Sequence, residues 1–280
     1  MSEPMVVPEL EIIASPNVVP PNYPYLEECS ISVEMVSHCP DPILIDWVEL
    51  RFNEEDGLSS PPIRKAGPSS VVPPNQRSPP IYIQFRVPLT FRSASNFFDV
   101  GVTFRDAAGS GGAAITKWFN SGRYIRVDTR PLRGKLIFIS HSVPEDEERA
   151  RAVKTFLERA GISGYIWEQD SRPGADYWPE KLYPKIDESQ GLVAIWSTTT
   201  ETRPDGVRKE VDRARKERAP PCKQYPVIEA GDGHSPGFPL FDGLFPASRI
   251  EHLKFNIGDI RPAAVNLVEA IDADIRSRTI

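Results

Sequence analysis

Three groups of side chains in this sequence have the types and spacing to do chemistry, and all of them fall in its C-terminal half. Ser140, His141 and Ser142 follow an apolar run. Glu168, Asp170, Gly174, Tyr177 and Trp178 share one polar and aromatic stretch, with Glu180 just beyond, and Glu210 lies in a charged segment between Val207 and Val211. A serine beside a histidine suggests a nucleophile with its base. Adjacent strand residues point to opposite faces, however, and no Gly-x-Ser-x-Gly elbow is present, so serine hydrolysis is a weak option. A neutral imidazole at His141 can instead hydrogen-bond a phosphate or ribose, or simply be satisfied at a strand end. Glu210 has a bland alternative as well: a solvated helix acid paired with a cation such as Arg213, for about 0.3–0.5 kcal/mol.

Other features carry less. Ala107-Ala-Gly-Ser-Gly-Gly-Ala113 looks like a phosphate loop, but it has no Lys-Ser/Thr ending and no helix behind it, so it reads as a hairpin connection. His38 beside Cys39 lacks a second ligand pair, which argues against a metal site. A net charge of −6 speaks against nonspecific nucleic-acid binding. The basic run Arg208 to Arg218 is interleaved with acids and reads as a solvated helix face. Three cysteines without CxxC spacing fit a reduced, cytoplasmic compartment, with a Cys29–Cys39 bridge as the alternative. No secretory leader and no run of eighteen apolar residues is seen, so the chain is expected to be soluble, with no membrane partner.

The elements that must position these side chains begin at Leu136-Ile-Phe-Ile139, a short apolar run that suits a strand covered on both faces. Ser142, Pro144 and Glu145 then predict a capping box and an immediate helix. Val153, Phe156, Leu157 and Ala160 share its inner face, and Gly161 ends it. Strands follow at Tyr165–Trp167, Leu192–Trp196, Tyr225–Ile228 and Ile250–Phe255. Helices lie between them: one capped by Asp176, with Pro184 kinking or shortening it, one over Val207–Glu217, and a closing helix with Leu267, Val268, Ile271 and Ile275 inward. Five strands alternating with helices predict a doubly wound, flavodoxin-like parallel sheet over residues 131–280, which binds ligands beyond the carboxyl ends of its strands. All the residues named first fall there.

The N-terminal half is written differently. Sixteen of the 29 prolines precede residue 90, separating short alternating segments. Ile31, Val33 and Met35 alternate with polar residues; Leu44, Val48, Leu50 and Phe52 share a face; so do Ile81, Ile83, Phe85 and Val87, and Phe98, Val100, Val102 and Phe104. This predicts an antiparallel β-sandwich over residues 1–130, with a long Pro/Ser loop from Gly57 to Pro80 and a joint at Thr129–Gly134. A sensing, docking or assembly role suits such a module.

Phe138-Ile-Ser-His-Ser142, a helix, a strand ending at Trp167 before acids, a loop with Pro173-Gly174, an aromatic start to the next helix, and Leu192-Val-Ala-Ile-Trp-Ser197 together resemble a Toll/interleukin-1 receptor (TIR) domain. The resemblance runs from about Lys135 to the C-terminus. Many TIR domains cleave NAD, with a catalytic glutamate in a Trp-x-x-x-Glu-Leu/Ile pattern after the third strand. Gly206-Val-Arg-Lys-Glu210-Val211 is the matching stretch, so the resemblance implies a catalytic Glu210, with Gly206 where the family has tryptophan. It further implies substrate contacts from Ser140, His141, Ser142, Asp170 and Gly174, and a ring at Tyr177 or Trp178 stacking on nicotinamide or adenine. NAD would be substrate rather than cofactor, with no metal needed. An NAD glycohydrolase forming linear or cyclic ADP-ribose is therefore expected, working as a homo-oligomer through TIR–TIR contacts in innate immune or antiphage defence, under control of the N-terminal domain and an activator or protein partner there. A noncatalytic signalling adaptor is the alternative, and a nucleoside-transferring enzyme a third reading.

Overall fold

Alternation sets the burial of the N-terminal strands. In a strand, every second side chain faces the same way, and in Ser95–Asp106 the residues Phe98, Val100, Val102 and Phe104 are all buried. The structure, a computed structural model, describes residues 10–16, 22–52, 62–67, 71–107, 113–167, 182–217, 222–230, 244, 253–256 and 258–277. The chain divides into two compact units, Met1–Asp128 and Thr129–Ile280.

In the first unit, β1 (Leu10–Pro16), β3 (Glu28–Ser37) and β7 (Ile81–Arg86) form an antiparallel three-stranded sheet in the order β1-β3-β7. A second sheet holds β2 (Asn22–Pro24), β9 (Ile115–Asp128), β8 (Ser95–Asp106), β4 (Ile43–Phe52) and β5 (Ile63–Ala66) in that order, with β6 (Val71–Val72) also on β4. Its pairings are antiparallel except that β2 runs parallel to β9. Phe52 of the larger sheet meets Phe85 of the smaller at 5.6 Å between ring centroids, and Phe91 and Phe98 complete that aromatic cluster.

Two expectations change here. Leu44 does not share the buried face of Val48, Leu50 and Phe52, because the register shifts between Ile45 and Trp47. The extra residue, Asp46, reverses the inward set, so Ile43 and Ile45 are buried before it and Val48 after it, while Trp47 is left exposed. Gly67 closes on this bulge, donating its amide to the Asp46 carbonyl at 2.7 Å, and a Cβ there would lie 2.0 Å from the Ile45 carbonyl oxygen. The segment Gly57–Pro80 also contains β5 and β6, since β4 offers an edge for them to pair. Of the Gly-rich connection, residues 108–112 lie outside the described residues. Cys29, Cys39 and Cys222 are buried free thiols, and burial pushes Cys29 up to about 12.

In the second unit, β10 (Leu136–Ser140), β11 (Ser163–Tyr165), β12 (Gly191–Trp196), β13 (Lys223–Ala230) and β14 (Leu253–Asn256) make a parallel sheet in the order β11-β10-β12-β13-β14. This is the doubly wound arrangement expected. Every residue of β12 is buried, as a strand covered on both faces requires. Helix α1 (Glu147–Arg159) buries Ala150, Val153, Phe156 and Leu157, and Gly161 ends it at φ 74°. α2 (Tyr183–Glu188), α3 (Thr198–Thr202), α4 (Asp205–Asp212) and α5 (Arg261–Ser277) follow, α4 running on into a wider turn over Arg213–Glu217.

The capping box at Ser142 is not formed. A turn over 143–146 intervenes, and α1 starts at Glu147, because Ser142 is held by Thr200 while Glu145 pairs with Arg203. Pro184 sits in the first turn of the described helix α2, a position with no intrahelical donor to lose, while the expected cap at Asp176 lies outside the described residues. The second strand stops at Tyr165, short of Trp167. Thr129–Gly134 is fastened to its own unit: the amides of Arg130 and Arg133 donate to the carbonyls of Arg159 and Gly161, and both guanidinium groups reach buried Asp272. Among the described residues no helix is long and apolar enough to cross a membrane.

Candidate active site

Where β10 ends and α4 passes, a cavity of about 210 Å³ opens at the carboxyl edge of the parallel sheet. Its floor is apolar, from Phe138, Ile139 and Val207. His141, Ser142, Glu145, Arg203 and Glu210 bring polar groups, and Trp167 stands at one side. Glu210 is only 8% exposed. The Ser140 hydroxyl, from the last residue of β10, donates to its Oε2 atom. A buried carboxylate needs such a donor, since losing water without one is costly.

This overturns the bland reading of Glu210 as a solvated acid. Among the described cations of its helix and the turn that follows, Arg213 pairs with Asp187 and Glu217, and Arg208, Arg215 and Lys216 pair with Asp212. Helical phase explains the difference, because Val207, Glu210 and Val211 share the inward side of α4. Gly206, one turn before Glu210, also lines the cavity, so the wall there is backbone rather than a ring.

Beside the cavity lies a polar network that periodicity does not reveal. Asp146 is fully buried and accepts from the Ser197 hydroxyl at 2.7 Å, the Thr200 hydroxyl at 3.3 Å and Arg149 at 2.5 Å. Arg149 also binds Glu229 at 2.8 Å, and Glu229 accepts the Thr198 amide at 2.8 Å. Ser197 caps α3, its side chain accepting the Thr200 amide. The network joins the start of α1, the start of α3 and the end of β13, which holds the cavity rim in place. Ser142 and Thr200 share a hydrogen bond of 2.8 Å within it.

Glu145 and Arg203 form an ion pair on the rim. The Glu145 carboxyl is held below its ordinary range, first by accepting a hydrogen bond from its own backbone amide and then by Arg203. It is therefore ionised throughout the neutral range. Among the described residues lining the cavity, Arg203 carries the only permanent positive charge.

A TIR-domain family model matches residues 137–275. The C-terminal half of this chain belongs to the TIR family. The TIR domain of a Toll-related receptor from Hydra magnipapillata is similar at 20% identity and a TM-score of 0.33, covering 50% of this chain and 97% of that one. The Bacillus subtilis sporulation control protein Spo0M is similar at 14% identity and a TM-score of 0.29, over 44% of this chain and 50% of its own. No curated protein matches.

Of the residues singled out in the sequence, the TIR domain brings together Ser140, His141, Ser142 and Glu210. Glu168, Asp170, Gly174, Tyr177, Trp178 and Glu180 lie outside the described residues. Glu145, Trp167 and Arg203 join the cavity without having been assigned to it. Position was their available signal, for Glu145 and Trp167 fall in the segments that follow strands β10 and β11, and Arg203 ends the short helix that follows β12.

Proposed function

We propose that the TIR domain cleaves NAD between ribose and nicotinamide, with Glu210 as the catalytic acid side chain. The observation that carries this is the placement of Glu210: inward on α4, buried, held by Ser140, and facing a cavity at the carboxyl edge of the sheet. As the glycosidic bond breaks, its electron pair leaves with nicotinamide and the ribose becomes cationic. A fixed carboxylate beside that ring stabilises the charge. Nicotinamide departs as a neutral base, so no general acid is required. Water then adds at the anomeric carbon and releases a proton, or an adenine nitrogen of the same molecule closes a cyclic product. The cavity is smaller than the roughly 300–1,000 Å³ of a typical ligand pocket, which suits the reacting end of a dinucleotide.

In this reading the N-terminal strands form a β-sandwich that senses a partner or drives assembly. Homo-oligomerisation through TIR–TIR contacts activates the enzyme, in the cytoplasm, for immune or antiphage defence. Gly206 in place of the family tryptophan favours the rival reading of a noncatalytic adaptor acting by TIR–TIR association.

Nicotinamide release from NAD by the purified chain, in dilute and in crowded solution, separates the two. Glu210→Gln keeps the shape and the acceptor for Ser140 but removes the charge, and is expected to slow release about 10²–10³-fold. Equal release by both proteins would sink the role of Glu210. Absence of release from the wild type under both conditions would favour the adaptor.

A further inference from the structure

We propose that Arg203 recognises the diphosphate of the nucleotide and that Glu145 occupies its guanidinium until the substrate arrives. This rests on the reading of NAD as substrate and adds a second recognition point to the same cavity. A dinucleotide brings two negative charges to a site whose described lining already holds two carboxylates, Glu145 and Glu210. Those acids repel it, and Arg203 is the permanent cation placed to compensate.

The Arg203 side chain is 65% exposed and the Glu145 side chain 36% exposed. An exposed pair of this kind is weak, because water and salt screen it. A diphosphate offers several charged acceptors and can take a planar guanidinium two bonds at a time, so it is the stronger partner. The root of Arg203 is fixed while its tip is open. Its amide donates to the Thr199 carbonyl at 2.9 Å, and it closes the helix that the buried network around Asp146 pins down. A cation so rooted can exchange one anion for another without moving its backbone.

Binding of NAD and of nicotinamide riboside, which has the same reacting bond and no phosphate, should be measured calorimetrically on the full chain. Arg203→Ala is expected to weaken NAD about tenfold, the loss of a charge-assisted hydrogen bond, while the riboside changes less than about twofold. Glu145→Gln is expected to act the other way, tightening NAD about threefold by removing both competitor and repulsion, again with little effect on the riboside. A gain of affinity cannot come from misfolding. If either variant changes both ligands equally, or changes neither, the role of Arg203 is wrong. The Glu210 reading is judged separately, by release. Failure of the wild type to bind NAD at all would overturn both.

Discussion

The Ser140–Glu210 hydrogen bond decides how a carboxylate can sit inside a protein and still face a ligand. One Glu210 oxygen is engaged by a strand residue, which fixes the side chain. Ser140 is itself 1% exposed, so it is a positioning residue behind the acid rather than a group open to substrate. Ser140→Ala should therefore cost the fold about 1.5–3 kcal/mol, because it takes a donor from a buried carboxyl group. It should slow nicotinamide release about tenfold, because the carboxylate can then rotate away from the ribose. Ser140→Thr keeps the hydroxyl and should recover most of the rate. Urea unfolding beside initial rates distinguishes the cases: a variant with full rate but reduced stability would make Ser140 merely structural.

Elements of the TIR domain were legible in proportion to how completely they are buried. Leu136–Ile139 and Leu192–Trp196 are apolar throughout and lie within strands β10 and β12, whereas the edge strand β11 stops two residues short of Trp167. Helix α3 was missed because Thr198–Thr202 has no apolar stripe; it stands on its Ser197 cap and on polar ties to Asp146 and Glu229. The same blindness affected the site. Glu210 was placed by the family pattern, while spacing alone favoured a solvated face, and its partner Ser140 lies 70 residues away. Ties of that length leave no local signal. Asp146 tests whether this network holds the rim. Asp146→Ala would leave Ser197, Thr200 and Arg149 without their shared acceptor in a buried setting, for about 3 kcal/mol by the usual cost of breaking such a group. The urea midpoint should fall accordingly, and a loss below about 1 kcal/mol would show that α3 stands without it.

At the scale of the whole chain, two different ways of burying apolar surface meet at Asp128. The first unit relies on period-two strands paired almost entirely antiparallel, the second on apolar parallel strands covered by helices. Each has its own core, and the connecting segment is tied to the second through Arg130, Arg133 and Asp272. A fragment spanning Thr129–Ile280 should therefore fold alone, provided those six residues at its start are kept. Calorimetry should show one cooperative transition that reappears in the full chain, and the lack of any transition would mean that the second unit depends on the first. Given a folded fragment, the proposed division of labour predicts a contrast in concentration dependence. If the N-terminal unit drives assembly and assembly activates the TIR domain, specific nicotinamide release by the full chain should rise with protein concentration, and the fragment should stay low until crowding forces association. Equal specific rates for the two, flat across a hundredfold dilution, would leave the N-terminal strands with no part in activation.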